Sequence, residues 1–133
     1  MKKNVVVVCG IVKKRNKFLL TQRAEPRQYR GKWQFPGGGL KTNETILGCL
    51  KREMKEELGI EIKNPKFLGR VWEFFRDNHH LIFLCFRCEI KNHGQKIIIN
   101  KEAKKYGWYS YQQIKTLDFL ELTDQFAQAA LKF

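Results

Sequence analysis

A chain of 133 residues, 43% hydrophobic and 29% charged, has the composition of an ordinary globular protein with a core of its own. It carries 26 Lys and Arg against 13 Asp and Glu, a formal net charge of +13, which suits phosphate-bearing partners. No apolar run reaches the roughly 20 residues of a membrane span, and there is no internal repeat, low-complexity tract or Pro/Ser-rich linker. A single domain, 1–133, is expected.

The opening stretch MKKNVVVVCGIVKKRNKFLL imitates a secretion signal, with lysines before an apolar run. Gly10 and Lys13-Lys14-Arg15 interrupt it, and no small-residue cleavage site follows. It reads better as strands over 4–12 and 17–22 joined by a charged turn, in a cytoplasmic protein. KWQFPGGGL is a strand end entering a glycine loop. Residues 44–58 form the strongest predicted helix, with Leu47, Leu50, Met54 and Leu58 as its apolar stripe and Gly59 as its stop. Strands follow at 67–75 and 79–90, around an RDNH hairpin turn, and at 106–109. Helices are expected at about 110–116 and 124–132, with Ser110 and Thr123 as N-caps. This order indicates an α/β or α+β sandwich around a mixed sheet.

The four cysteines include one C-x-x-C, Cys85 and Cys88, inside an apolar strand. Residues three apart on a strand face opposite ways, and no second pair completes a tetrahedral zinc site. Buried thiols are expected. The lysines are scattered, without a basic helix or an aromatic–basic repeat, so duplex nucleic acid is not the expected partner.

Against the basic background, Glu44, Glu53, Glu56 and Glu57 crowd one short helical segment. At about 100° per residue, Glu53, Glu56 and Glu57 share one arc, away from the predicted stripe. Lysines at 51 and 55 suit an innocently solvated face. The neighbouring PGGG, however, brings bare backbone to the helix start. Several carboxylates with a backbone carbonyl make a hard-oxygen set for Mg²⁺ or Mn²⁺, and a basic surround would attract polyphosphate.

Gly38, five residues, Glu44, seven residues, then REMKEELGI from Arg52 to Ile60 fills every fixed position of the Nudix box, G-x5-E-x7-R-E-U-x-E-E-x-G-U. The chain therefore resembles the Nudix hydrolases, and LLTQRA, GKWQFPGG and Glu102 before Trp108 extend the likeness. The resemblance implies the α/β/α Nudix sandwich and divalent-metal hydrolysis of nucleoside diphosphates linked to another group. By position, Glu56 and Glu57 match principal metal ligands, with the Gly37 carbonyl. Glu53 matches a ligand or the base that takes a proton from water. Arg52 matches the arginine that orients the catalytic glutamates. Glu44 matches a supporting group, and Glu102 a loop ligand or base. Arg23 matches a strand arginine that touches phosphate or sugar. Two positions depart from many relatives, Lys41 for Glu and Asn43 for Gly. Cys49 stands where a small residue is usual, on the carboxylate side of the helix.

The compact length and TQRA…WQFPGGG favour the MutT-like branch, in which water attacks an inner phosphorus and a triphosphate yields monophosphate and pyrophosphate. A residue near the start of the last helix reads the base in that branch; here it is Asp124. An ionised carboxylate accepts only, so it would favour an exocyclic amine, as on cytosine. Trp33, Phe35 and Phe119 are candidates for base stacking. Three alternatives stay open: the 5′-triphosphate end of RNA, another nucleoside-diphosphate-linked substrate, or an idle binding module. Monomer and homodimer are both open.

Overall fold

A computed structural model describes residues 3–132. β1 (Lys3–Lys14) is the axis of the fold and alternates its side chains between two layers. Val8 and Val12 join one buried cluster, while Cys9 and Ile11 join the other. β1 runs parallel to β6 (His79–Ile90), and β6 pairs antiparallel with β5 (Ile62–Arg76). Asp77 and Asn78, at φ 51° and 65°, make the tight turn between them that the RDNH stretch predicts. β5 begins earlier than the expected residue 67. Register shifts between Lys63 and Lys66, and between Phe67 and Val71, break the alternation that would have announced its first half.

The other flank of β1 is divided. β2 (Lys17–Arg23) pairs with it only at Lys13↔Phe18 and Lys14↔Lys17. β2 then swings away to pair with β3 (Trp33–Gln34) and β7 (Ala103–Tyr109). The vacated edge is taken by β4 (Gly37–Gly39), opposite Val7–Cys9. This parting of β1 from β2 opens the cleft described below.

α1 (Ile46–Leu58) covers one face of the sheet. Thr45 is its N-cap, accepting from Gly48 N–H at 3.0 Å. Gly59, at φ 66°, closes it in the left-handed conformation that glycine adopts without strain. The observed stripe differs from the expected one. Leu47 is 45% exposed, and Cys49, fully buried, takes its place with Leu50, Met54 and Leu58. The reason is close packing against the glycine strand: the Cys49 thiol lies 3.7 Å from the Gly39 carbonyl, so the helix is rotated toward β4. Burial of each large member contributes about 1.5–3 kcal/mol.

On the opposite face lie α2 (Tyr111–Ile114) and α3 (Thr123–Ala130), through Ile114, Phe126, Ala127 and Ala130. Ser110 caps α2 in a reciprocal box with Gln113. Thr123 does not cap α3. It is the first helical residue and is buried, while Leu122, at φ 74°, turns the chain into the helix. The result is an α/β sandwich with a mixed sheet between helical layers. All four cysteines are buried and free, and Cys85 and Cys88 fall in opposite layers, as strand alternation requires. Among the described residues no helix is long and apolar enough to cross a membrane.

Candidate active site

The glycine strand β4 is where the site is assembled. Gly10 N–H donates to Pro36 O, and Leu40 N–H donates to Val6 O. Alternation along an antiparallel ladder then turns the main-chain groups of Gly37 and Gly39 away from β1, toward α1. Gly37 N–H accordingly donates to Glu57 Oε2 at 2.9 Å, and the Gly39 carbonyl accepts from Arg52 Nη2 at 3.2 Å. Gly38 leaves room for Glu53, since a Cβ built there would collide with the Glu53 carboxylate.

Arg52 is the hub of the helix side. Its Nε and Nη2 hold both oxygens of Glu44, at 2.6 and 2.9 Å. Its Nη1 reaches Glu53 Oε2 at 2.7 Å and Glu56 Oε2 at 3.1 Å. Hydrogen bonding from Arg52 holds the Glu44 carboxyl down at about 2, and the same bonds raise the guanidinium further above its usual value. Glu57 behaves oppositely. Burial and the adjacent Glu53 carboxyl, within hydrogen-bonding reach, push it up to about 9. Burial raises Cys49 to about 11, so this thiol is no ready nucleophile.

The cleft has two lobes. The acidic lobe, about 520 Å³, is lined by Glu53, Glu57 and Glu102 with Arg23, Gln34 and Gly37–Gly39 on its walls. The aromatic lobe, about 330 Å³, is walled by Phe35, Leu81, Phe83, Leu120 and Phe126. Arg23, Gln34 and the three glycines line both.

Most of the residues singled out in the sequence converge here. Glu53, Glu57, Glu102, Gly37 and Arg23 meet at the acidic lobe, and Glu44 supports it through Arg52. Glu56 stands apart on the rim, half exposed and bonded to Arg52. Among the described residues, no three His, Cys, Asp or Glu side chains converge in this conformation as a preformed cation cage. Two facing carboxyls of Glu53 and Glu57, beside an outward-turned Gly37 backbone, still make a hard-oxygen donor set. Burial and the neighbouring Glu53 carboxyl raise Glu57, and a divalent cation would offset both by stabilising the ionised pair, so the residues fit such an ion. Phe35 is only 5% exposed and packs edge-on against Phe18, its ring centroid 6.1 Å away. Asp124 lines neither lobe. Because α3 starts at Thr123, that residue faces the aromatic lobe, and Asp124, one step around the helix, turns toward Tyr111. Asn43 adopts φ 63°, a left-handed conformation that Asn tolerates.

Asn100 and Gln34 are among the site residues that were not anticipated. Asn100 donates to the Glu56 carbonyl at 3.1 Å and accepts from Glu102 N–H at 2.9 Å, tying the Glu102 loop to α1. An Asn two positions before the candidate loop glutamate was the available signal. Gln34, beside the glycine run, accepts from Arg23 Nη1 at 3.1 Å. Nothing in its spacing distinguishes it from any other strand residue.

The NUDIX domain family matches residues 1–130, and the chain belongs to this family of hydrolases. It is 31% identical over 113 residues to the 8-oxo-dGTP diphosphatase of Buchnera aphidicola subsp. Schizaphis graminum, covering 85% of this chain and 82% of that one. It is 30% identical over 132 residues to the nucleoside triphosphatase NudI of Enterobacter sp. (strain 638), covering 88% and 89%. The fold resembles the crystal structure of a MutT Nudix hydrolase from Burkholderia pseudomallei, with a TM-score of 0.83 at 18% identity over 95% of this chain and 97% of that one. A MutT protein from Methanosarcina mazei Go1 gives 0.81 at 24% identity over 98% and 96%. Nudix hydrolases generally use divalent metal ions.

Proposed function

We propose that this chain, acting as a single domain, is a Mg²⁺-dependent pyrophosphohydrolase that converts nucleoside triphosphates to monophosphate and pyrophosphate. The observation that carries this reading is the two-lobed cleft, in which a carboxylate-lined space for phosphates opens beside an aromatic space for a base. The names of the two relatives, a diphosphatase and a triphosphatase acting on nucleotides, point the same way.

Glu53, Glu56, Glu57 and Glu102, with the Gly37 carbonyl, would hold Mg²⁺, or Mn²⁺ in its place. When bound, the ion neutralises charge on phosphate oxygens and activates water. Arg52 holds Glu53 and Glu56 in reserve and aims them by charge-assisted bonds. Arg23, at the junction of the lobes, binds phosphate or sugar. Glu53 or Glu102 removes the proton of the attacking water. Catalysis then rests on positioning and on charge stabilisation at the transferred phosphorus. The expected cytosine preference would require Asp124, which lines neither lobe, to reach the base. A cytoplasmic setting accords with free nucleotides as substrates and with four reduced thiols.

The test is product analysis on ATP, GTP, CTP and dTTP in Mg²⁺ without added pyrophosphatase. Monophosphate and pyrophosphate in equal amounts are expected. Direct release of orthophosphate from the triphosphate contradicts the proposal.

A further inference from the structure

The hairpin that joins β1 to β2 concentrates positive charge at the end of the sheet away from the cleft. Lys14 pairs with Lys17 across it, and β6, running parallel to β1 with Arg87 opposite Ile11, brings Arg87 to the same end. Two cavities open there, of about 420 and 570 Å³. Lys13, Lys14, Arg15 and Arg87 line the first; Lys14, Arg15, Lys17 and Trp108 line the second, so Lys14 and Arg15 serve both. Neither cavity shares a lining residue with either lobe of the cleft. Lys14 lies five residues beyond Cys9, where β1 stops facing the glycine strand, a run of about 17 Å.

Among the described residues none of these five cations is in an ion pair, and Glu89 is the only carboxylate lining either cavity. Arg15 adopts φ 57°, a left-handed conformation that glycine takes with less strain, so the turn holds a guanidinium where the backbone favours another residue. The half-buried Trp108 ring walls the second cavity, with Lys14 Nζ 5.9 Å from its centroid. We propose that this hairpin end is a binding site for single-stranded nucleic acid, with the five cations on phosphates and Trp108 stacked on a base. It stands apart from the reading of the cleft and asks for no hydrolysis of the bound strand. A single strand fits because an unpaired base is free to leave its neighbours and lie on a ring in a cavity. A lipid surface would call for apolar side chains at the tip, where Arg15 and Asn16 stand instead.

The probe is a mixed-sequence DNA strand of about ten nucleotides, with a 5′-hydroxyl and a 3′ fluorophore, which offers the cleft no phosphoanhydride. Fluorescence anisotropy in EDTA compares the wild-type chain with two double variants. Lys14→Glu with Arg15→Glu should weaken binding at least about tenfold; Lys51→Glu with Lys55→Glu, an equal charge change at exposed positions of α1, should weaken it by less than about threefold. An abasic strand of the same length should bind the wild type about tenfold more weakly. Equal losses in the two variants, an abasic strand bound as tightly as DNA, or phosphatidylserine vesicles bound in place of the strand overturn the proposal. So does a fall in triphosphate hydrolysis in the hairpin variant, which would assign these residues to the cleft. Should that variant fail to fold, Lys17→Glu alone decides, by a loss of at least about threefold. A wild-type chain that hydrolyses no triphosphate rejects the hydrolase reading, and the anisotropy results still judge the hairpin.

Discussion

Arg52 and Glu44 meet in a two-pronged ion pair, Nε to Oε2 at 2.6 Å and Nη2 to Oε1 at 2.9 Å, with Lys41 N–H as a third donor to the carboxylate at 3.1 Å. Eight residues apart, they join the loop before α1 to its middle. The pair leaves Nη1 of the same guanidinium free for Glu53 and Glu56. Substituting Arg52 by Lys removes the fork but keeps the charge. The expected result is a loss of about tenfold to a hundredfold in kcat with a circular dichroism spectrum unchanged. An unaltered kcat would show that the glutamates do not need this anchor.

The Glu44 carboxyl is held at about 2, below its ordinary 4.5, by Arg52. A depressed acid stabilises the fold fully above 4.5 and ceases to do so as pH falls through about 2. Glu44→Gln should therefore lower Tm at pH 7, and the gap to wild type should close between pH 4.5 and 2. Thermal melts of both proteins across that interval check it. A gap constant with pH would assign the loss to something other than charge.

For Glu57 the sign reverses. The folded protein keeps its proton up to about 9, whereas the unfolded chain loses it near 4.5. The native state binds more protons in between, so stability falls as pH rises through that window. In EDTA, Tm should decline from pH 5 toward 9, and Glu57→Gln should remove much of the slope. Mg²⁺ should also flatten it, by binding the ionised pair. The same substitution should cost at least about a hundredfold in kcat at saturating Mg²⁺. A variant retaining most of its kcat would exclude Glu57 from metal binding.

Gly38→Ala places a methyl group against the Glu53 carboxylate. The flexible side chain should yield, turning out of the acidic lobe. Activity is then expected to fall about tenfold or more while Tm changes by only a few degrees. Comparable losses in both would mean that the strand itself had been displaced.

Asp124→Asn should leave the ranking of the four common triphosphates unchanged, because the carboxylate faces Tyr111 and lines neither lobe. Thr123→Val, altering the residue that does face the aromatic lobe, is the variant expected to change KM. Steady-state kinetics on both separate the two positions. A ranking altered by Asp124→Asn would return the base-reading role to Asp124.

The spacing from Gly38 to Ile60 by itself carried the resemblance to the Nudix box, and its helical part was legible because a helix converts fixed intervals into fixed directions. Gly59, Ser110 and the RDNH turn were legible for the same local reason: their conformations are set by a few neighbouring residues. What the tertiary structure decided depends on partners distant in sequence. Leu47 or Cys49 as the buried residue was settled by how closely α1 approaches β4, and Thr123 or Asp124 as the cavity-facing residue by the turn at Leu122. Gln34 meets Arg23, eleven residues away, only because the strands bring the two together at the cleft. Arg76 entered the cleft only because β5 ends opposite Glu121, forty-five residues on. Such contacts are decided only in the folded chain, where a one-residue rotation of a helix or strand exchanges which side chain faces a cavity.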